Sequence, residues 1–398
     1  MPLHTSNIVM QKTDTTPAGA NQTEGSLYYD DSEAVLKQYN GSAWGAVKAP
    51  DVNEGGTMRT YQHAGTGTTY QVHIFTMAGA ATWKLTGTKS CDIFMVGGGG
   101  SGGNGLGGGG AGGVVVWATG FSVAAGTYSL YVGKGGNQAN HTDMGGTFGE
   151  PTWIQTATVG KVEALGGGGG GGETTAGVSP IGIYYEANSS APAVHSQRSE
   201  HWGNSGGTSY GNTSFYYGSA SLRAFSGWTV RMNGRGGKGG GASSNHASGG
   251  GGSGAGNGTT PSSASAPGGN GADGVNSGAG VTFVTPRLFG ESGTHNGVAI
   301  DASYYWGGGG GGGSHVPATA SGNGGAGAGG GGANGSTGVG GGTAGIQGRN
   351  AGAAGGAGGN AAGGAGGENT GAGGGGGCDG TGPGGAGGSG IIVIRYPL

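Results

Sequence analysis

A strand that leads into glycines carries two enzyme-like motifs in overlapping letters. Residues 91–96, CDIFMV, are apolar and precede Gly97-x-Gly99-x-x-Gly102, the pattern of a dinucleotide-binding turn. The same letters contain Gly99-x-Ser101-x-Gly103, the pattern of a hydrolase nucleophile elbow. Both chemistries need a helix directly after the turn. The next letters, NGLGGGGAGG, are too rich in glycine for a helix, so we expect neither activity.

Other motifs that could do chemistry are isolated. Residues 268–276, GGNGADGVN, fit one copy of a calcium-binding nonapeptide, but that motif needs tandem copies to complete each ion site. His195 and His201 lie six apart in a polar stretch, which is not a metal-ligand pattern. Three lysines follow glycines without the Ser or Thr of a phosphate-binding loop, namely Lys134, Lys161 and Lys238. We therefore predict no enzyme, no catalytic or metal-binding residue and no cofactor.

Aromatic residues give a stronger signal. Residues 181–306 contain 14 of the 30 Phe, Trp and Tyr side chains, set among Ser, Asn, Gly and Thr. This composition suits recognition, because Tyr and Trp give large contact areas at little entropic cost. The alternative is that some of these rings form small cores over the ends of glycine segments. The receptor-contact candidates are Tyr184, Tyr185, Trp202, Tyr210, Phe215, Tyr216, Tyr217, Trp228, Tyr304, Tyr305 and Trp306.

Composition narrows the possible partners. Only 9% of the residues are charged, the net charge is −3, and 16 Lys and Arg are spread over 398 residues. A nucleic-acid binder normally has a basic stripe, so we expect no nucleic-acid partner. No apolar run reaches the length of a membrane span, and the first residues, MPLHTSNIVMQKT, do not resemble a secretory signal. Cys91 and Cys378 are far apart in sequence, which predicts two thiols and leaves their pairing open.

Short strands recur along the chain. Residues 25–47 predict a β-meander with turns at 30–33 and 40–41, and 124–127 predict a hairpin turn. Further strands are predicted at 70–75, 83–85, 92–96, 114–117, 121–123, 128–132, 153–154, 161–165 and 391–396. No stretch has convincing helical periodicity.

Glycine dominates the remainder, with 113 residues in the chain. Several runs begin where a strand ends, after Val96, Leu165 and Trp306, which a disordered linker would have no reason to do. We predict that these runs are polyglycine II helices, extended and left-handed, whose backbone groups bond neighbouring helices. Only glycine allows backbones to approach on every face, and Ser101 is expected to point outward.

The predicted fold class is therefore all-β plus polyglycine II. It has β-sandwich-like layers that flank a bundle of packed left-handed polyglycine II helices, a small N-terminal β-meander and no substantial α-helix. The predicted divisions are an N-terminal β attachment segment at 1–50, a linker at 51–68, and a glycine-rich domain at 69–398. That domain carries loop insertions at about 173–235 and 259–306.

The glycine-rich part resembles the phage glycine-rich domain of virion and tail-fibre proteins. The resemblance lies in residues 70–76 (YQVHIFT), 92–100 (DIFMVGGGG), 107–115 (GGGGAGGVV), 126–133 (GTYSLYVG) and 388–396 (GSGIIVIRY). It implies polyglycine II helices between β layers, similar in principle to the tip adhesins of T-even-like phages. In those adhesins the loops between glycine helices carry receptor specificity. The two insertions are the corresponding loops here, although their sequences do not match.

The resemblance implies a phage virion structural protein, a tail fibre or tail-tip adhesin, assembled in the host cytoplasm. Residues 1–50 would bind other virion proteins, and the loops a host surface glycan or outer-membrane protein. A homo-oligomer is expected, with a trimer favoured, and no membrane insertion. The alternatives are a capsid decoration or head-fibre protein, and a polysaccharide depolymerase. A depolymerase needs a carboxylate pair in a groove, and the sparse acidic residues form no such pair in the aromatic region.

Overall fold

The computed structural model places a defined part of the chain in two compact units. One unit comprises residues 1–53 with 85–87, and the other 54–84 with 88–398. The described residues are 12–13, 27–30, 35–39, 42, 44–46, 55–62, 67–138, 145–156, 160–172, 204, 206–207, 227–231, 247–263, 266–275, 294–295, 298–299, 305–315, 320–336, 340–378 and 381–398.

The described part of the chain is all-β, and no helix occurs in it. The strands are β1 (Lys12–Thr13), β2 (Leu27–Asp30), β3 (Val35–Tyr39), β4 (Trp44–Ala46), β5 (Thr57–Gln62), β6 (Thr69–Phe75), β7 (Gly79–Leu85), β8 (Lys89–Val96), β9 (Val115–Val123), β10 (Gly126–Val132), β11 (Thr152–Thr156), β12 (Gly160–Ala164), β13 (Thr229–Arg231), β14 (Thr294–His295), β15 (Val298–Ala299) and β16 (Ile391–Pro397). The all-β prediction is confirmed.

The N-terminal unit contains the predicted β-meander. Strands β2, β3 and β4 pair antiparallel in sequence order, and β1 pairs parallel with β2. Of the two predicted turns, Asp30 lies at the end of β2, and residues 31–33 and 40–41 lie outside the described residues.

The largest sheet has six antiparallel strands in the order β13-β9-β8-β16-β6-β5. The C-terminal strand β16 lies at its centre, so the two ends of the glycine-rich part meet in one sheet. Both faces of β16 are buried, which explains its continuous apolar run IIVI. Ile391 and Val393 share one core with Phe94, Trp117 and Trp306. Tyr396 lies on the other face, where its ring stacks on His73.

Two sequence predictions fail at this sheet and its neighbour. Residues 57–62 form the edge strand β5 along β6, although a linker was predicted over 51–68. The described side chains of this edge strand, 57–60, are exposed on both faces, so they need no apolar pattern and no strand could be recognised from them. Residues 124–127 are not a hairpin turn, because β9 and β10 belong to different sheets. The second sheet has the order β12-β11-β10-β7, and the chain crosses into it between Val123 and Gly126.

The glycine segments bond one another through their backbones. Successive amides of segment 97–103 donate in rotation to three different neighbours, at N···O distances of 2.8–3.0 Å. The acceptors lie in 108–114, 147–150 and 385–388. The carbonyls of the same segment accept from residue 136, from 167–170 and from 374–377. Each segment is thus linked sideways and has no regular bonds within itself.

Four other segments have the same arrangement, and each exchanges bonds with six neighbouring stretches. They are 107–114, 307–314, 329–335 and 371–377. Together with 97–103 and the glycine stretches bonded to them, they form what we call the glycine bundle, the body of the molecule. Buried backbone amides and carbonyls need partners, and here other glycine segments supply them.

The spacing of these segments excludes side chains. A Cβ built on Gly99 would lie 2.0 Å from the carbonyl oxygen of Ala372, and one on Gly100 would lie 2.1 Å from that of Gly168. The clashing atoms are backbone, which cannot rotate away as a side chain does. Glycine is therefore required here by close approach on each side rather than by an unusual backbone angle.

Reversals between segments use a different device. Five non-glycine residues adopt a left-handed backbone with φ between 52° and 72°, and each lies at or beside a turn between glycine segments. They are Leu106, Ala328, Gln347, Asn360 and Asn369. Asn tolerates this conformation well, whereas Leu and Ala adopt it only where the surroundings impose it.

The close approach predicts a folding defect for Gly99→Val. We expect it to lower the free energy of unfolding by at least about 3 kcal/mol, because two backbones must separate to admit the side chain. Gly359→Ala is the matched control, since a Cβ there meets nothing within 4 Å and its φ is not positive. The control should stay within about 1 kcal/mol of wild type in chemical denaturation. Equal stability of the two variants would contradict the packing described here.

Candidate functional site

The overlapping enzyme motifs form a structural contact. Ser101 is fully buried, and its Oγ accepts a hydrogen bond from the Thr147 amide at 2.8 Å. The prediction that Ser101 points outward is therefore wrong. A short hydroxyl side chain fits inside the glycine bundle where it replaces a backbone partner. A nucleophile elbow instead exposes its serine at the top of a sheet.

Of the other candidates, Asp273 is hydrogen-bonded to the backbone, and His195, His201 and Lys238 lie outside the described residues. Asp273 of the nonapeptide accepts the Ala326 amide at Oδ1, at 2.8 Å. No group of three or more potential metal-ligating His, Cys, Asp or Glu side chains occurs among the described residues.

The two cysteines are free and buried, as the thiol prediction expected. Burial raises the pKa of the Cys91 thiol to about 12, with a smaller contribution from the Asp92 charge. Cys378 donates to the Ala361 carbonyl oxygen at 3.2 Å. Cys91 lies in β8, before the start of segment 97–103. Cys378 directly follows Gly377, which bonds Gly103 at the other end of that segment, so the length of a glycine segment separates the two thiols. Both thiols are therefore inert packing groups.

A buried histidine has a fixed protonation state. His73 of β6 is fully buried, and its Nδ1 lies 2.9 Å from the Gly55 carbonyl oxygen. A carbonyl only accepts, so Nδ1 carries the proton and Nε2 accepts from the Tyr396 hydroxyl at 3.0 Å. Burial lowers the pKa of His73, and the bond to Gly55 opposes this only in part. The ring is held neutral as a hydrogen-bonded core group.

Most of the predicted receptor contacts lie outside the described residues. These are Tyr184, Tyr185, Trp202, Tyr210, Phe215, Tyr216, Tyr217 and Tyr304. Tyr305 is described and is half-buried, with its amide bonded to the Gln347 carbonyl at 2.8 Å.

Two predicted contacts are corrected by their burial. Trp306 is fully buried and packs edge-on against Phe94, with ring centroids 5.1 Å apart. Trp228 is only 8% exposed and packs against Phe121 at 5.4 Å. Both rings cover the six-stranded sheet, so neither offers its face to a receptor. They follow the alternative expectation of small cores beside the glycine segments.

The first insertion is interrupted by a short stretch inside the glycine bundle. Asn204 is buried, and its Nδ2 donates to the Gly112 carbonyl at 2.8 Å. Its own carbonyl accepts the Gly168 amide, and Gly207 accepts the Gly171 amide, both at 2.8 Å. Residues 227–231 then return as strand β13 and its approach. The insertion predicted at 173–235 is thus divided by these stretches, and residues 173–203 and 208–226 lie outside the described residues.

One end of the bundle, which we call the distal end, is defined by Gly103, Gly108, Gly171 and Gly207. The Gly103 amide donates to the Gly108 carbonyl, the Gly108 amide to the Gly171 carbonyl, and the Gly171 amide to the Gly207 carbonyl. Segment 97–103 starts at the end of β8, so these residues lie at the end remote from that strand. Residues 173 and 208 directly follow distal-end segments, so both parts of the first insertion leave from there.

The second insertion leaves from the opposite end. Val275 and Trp306 exchange two backbone hydrogen bonds of 2.9 Å, next to the core of the six-stranded sheet. Residues 259 and 269–274 bond other glycine segments and are part of the body. The insertion predicted at 259–306 is therefore reduced to 276–304. The two insertions do not start from a common surface.

The second sheet, β12-β11-β10-β7, carries an aromatic surface that was not predicted from the sequence. Tyr131 of β10 faces Trp153 of β11 across the strand pair, and their rings stack with centroids 5.9 Å apart and planes 8° apart. The Lys161 ammonium lies over the Trp153 ring, 4.8 Å from its centroid. The Tyr131 hydroxyl donates to Glu150 Oε2 at 2.6 Å, and Lys161 forms an ion pair with Glu163. We call these five side chains the Trp153 surface.

A sequence signal for this surface exists in the strand alternation. Leu130, Val132 and Ile154 point to the core, which places Tyr131 and Trp153 on the opposite face. Trp83, Trp117, Trp228 and Trp306 are buried, whereas Trp153 is half-exposed. The two residues are 22 positions apart in sequence, so the local density of aromatic residues does not mark this pair.

The comparisons with known proteins give no family. No protein-family model matches the chain, and no curated protein matches it. Among the described residues there is also no helix long and apolar enough to cross a membrane.

The neutral His73 predicts a loss of stability in mild acid. The unfolded chain takes up a proton near the ordinary histidine pKa of about 6.5, whereas the folded chain does so only at lower pH. The contribution of His73 is therefore complete above pH about 6.5 and declines below it until the folded pKa is reached. His73→Gln should be less stable than wild type at pH 7.5, and the gap should narrow towards pH 5.5. A gap independent of pH, measured by urea unfolding, would contradict a neutral folded His73.

Asn204→Ala tests the stretch that divides the first insertion. Loss of its amide leaves the Gly112 carbonyl unpaired in the bundle, which should cost about 1–3 kcal/mol of unfolding free energy. Amide hydrogen exchange over 165–172 should also accelerate. Asn137→Ala is the control, because Asn137 is exposed and only its backbone carbonyl accepts a bond. Its effect should stay within about 0.5 kcal/mol. Equal rates of amide hydrogen exchange over 165–172 in the two variants would contradict the role of Asn204 in holding this stretch in the bundle.

Proposed function

We propose that the glycine segments are left-handed polyglycine II helices packed side by side as a rigid body. Such a helix has three residues per turn, so its amides point in three directions in succession. The rotation of donors along 97–103 supports this, as do the six bonded neighbours of each central segment. Close packing on every side leaves few ways for the body to bend.

We also propose that the two larger sheets form a sandwich-like pair at one end of this bundle. A ring contact between the sheets supports it, because His73 of β6 lies 5.9 Å from Trp83 of β7. Trp83 also packs against Tyr128 of the neighbouring strand β10, at 5.5 Å. Strands β8 and β16 belong to the six-stranded sheet and connect directly to glycine segments. A conventional apolar core of this kind would fix the starting points of the helices.

We propose that the protein is a phage virion structural protein, a tail fibre or tail-tip adhesin that presents loops to the host surface. The observation that carries this is that two insertion stretches, 173–203 and 208–226, begin directly after glycine segments that end at the distal end of the bundle. A rigid body reduces the ordering entropy that a binding loop loses on contact. The Tyr, Trp, Ser and Asn content of these stretches suits such contact.

The partners follow from this proposal. Residues 1–50 bind other virion proteins, and the first insertion binds a host surface glycan or an outer-membrane protein. We propose a homo-oligomer, with a trimer favoured, that assembles in the host cytoplasm and locates to the particle. Immunogold labelling of purified virions distinguishes a tail position from the capsid position of a decoration or head-fibre protein.

Replacement of residues 208–226 by a Gly-Ser sequence of the same length tests the display function. The replacement spares Asn204–Gly207 and the β13 strand and keeps the chain long enough to run from the distal end to β13. The body should therefore unfold at the wild-type temperature while binding to host cells falls at least about tenfold. A matched control replaces 276–293 in the same way. This stretch belongs to the second insertion, which leaves from the opposite end, and the change spares β14 and β15. It should bind as wild type. Undiminished binding after the first replacement, with the fold intact, would overturn the assignment of 208–226.

A further inference from the structure

The Trp153 surface combines features of a small-molecule binding site. Tyr131 is positioned by its hydrogen bond to Glu150, and Glu150 Oε2 also accepts the Lys134 amide at 3.2 Å. The hydrogen bond from Tyr131 to Glu150 raises the pKa of the Tyr131 hydroxyl. The hydroxyl therefore stays protonated, and the bond holds the Tyr131 ring in place. The rings are ordered before any ligand arrives, which lowers the entropic cost of binding.

The charged groups around the rings are of both signs. Glu150 and Glu163 offer carboxylate oxygens as acceptors, and Lys161 offers ammonium donors. Each carboxylate already has a partner, because Glu163 is paired with Lys161 and Glu150 accepts from the Tyr131 hydroxyl and the Lys134 amide. A neutral ligand that carries many hydroxyl groups fits this set better than an anion or a cation.

The small area also narrows the class of ligand. One Tyr and one Trp with three polar neighbours provide far less than the roughly 800 Å² per partner that a stable protein interface buries. The aromatic faces carry partial negative charge, which attracts the C–H groups of an apolar ring face. A pyranose sugar presents such C–H groups on its face and hydroxyl groups around its rim.

We propose that the Trp153 surface binds a neutral pyranose, which stacks on the Trp153 ring and replaces the Lys161 ammonium there. Lys161 is the movable group, because its side chain is 45% exposed. Its departure frees Glu163, which lies opposite Trp153 in the strand register, to accept from sugar hydroxyls. No covalent step is involved. This site is separate from the insertions, so it stands or falls independently of the display function.

The full-length protein is titrated with maltotetraose, cellotetraose and chitotetraose, using saturation-transfer NMR and calorimetry. At least one of the three should bind, with transfer strongest at the ring C–H protons. Trp153→Ala should weaken that binding at least about tenfold, because the stacking face is lost. Met58→Ala, an exposed apolar residue in β5 of the other sheet, is the control and should bind as wild type.

Lys161→Ala separates binding from a purely structural role. Removal of the competing ammonium should strengthen sugar binding about two- to fivefold, the size of an exposed cation–π contact. A structural role of Lys161 predicts no such gain. Should Trp153→Ala unfold, this variant decides, since it keeps both rings. Three results would each overturn the proposal. They are failure of all three sugars to bind at about 20 mM, wild-type affinity of Trp153→Ala, and unchanged affinity of Lys161→Ala.

Discussion

The fold depends on the contact of one backbone amide with the carbonyl of a neighbouring glycine segment, made without an intervening side chain. The contact repeats around segments such as 97–103, whose amides turn to three neighbours in succession. A Cβ on Gly99 or Gly103 would lie within about 2 Å of a carbonyl oxygen, which is why these two positions tolerate no other residue. Ordering so much glycine is entropically expensive, and the bonds to neighbours on each side offset that cost.

This constraint explains how enzyme motifs arise where no enzyme site exists. Nucleotide-binding turns and nucleophile elbows use glycine for close approach of a backbone to a ligand or a helix. Around Gly97–Gly103 the approaching group is another glycine segment. Ser101 fits the same logic, because its hydroxyl bonds the Thr147 amide inside the bundle.

The same constraint decides where binding surfaces can exist. A bonded interior leaves only the ends of segments and the outer faces of sheets for side chains of any size. Gly207, after which one part of the first insertion begins, lies at the distal end, and Val275, after which the second begins, lies beside the core of the six-stranded sheet. The Trp153 surface occupies a sheet face, held by strand pairing and by the bond from Tyr131 to Glu150.

The sequence by itself determined most strands of the two larger sheets, the meander and the points where glycine segments begin, because these depend on local alternation and on composition. It also indicated that the recurring runs after Val96, Leu165 and Trp306 are ordered. Only the tertiary structure decided that Trp306 and Trp228 are core rings, that Ser101 is buried, and that Tyr131 meets Trp153. Those outcomes depend on which distant segments become neighbours, and glycine carries no side chain to specify a neighbour. The partner of each run is set by the sheets and reversals that hold its ends.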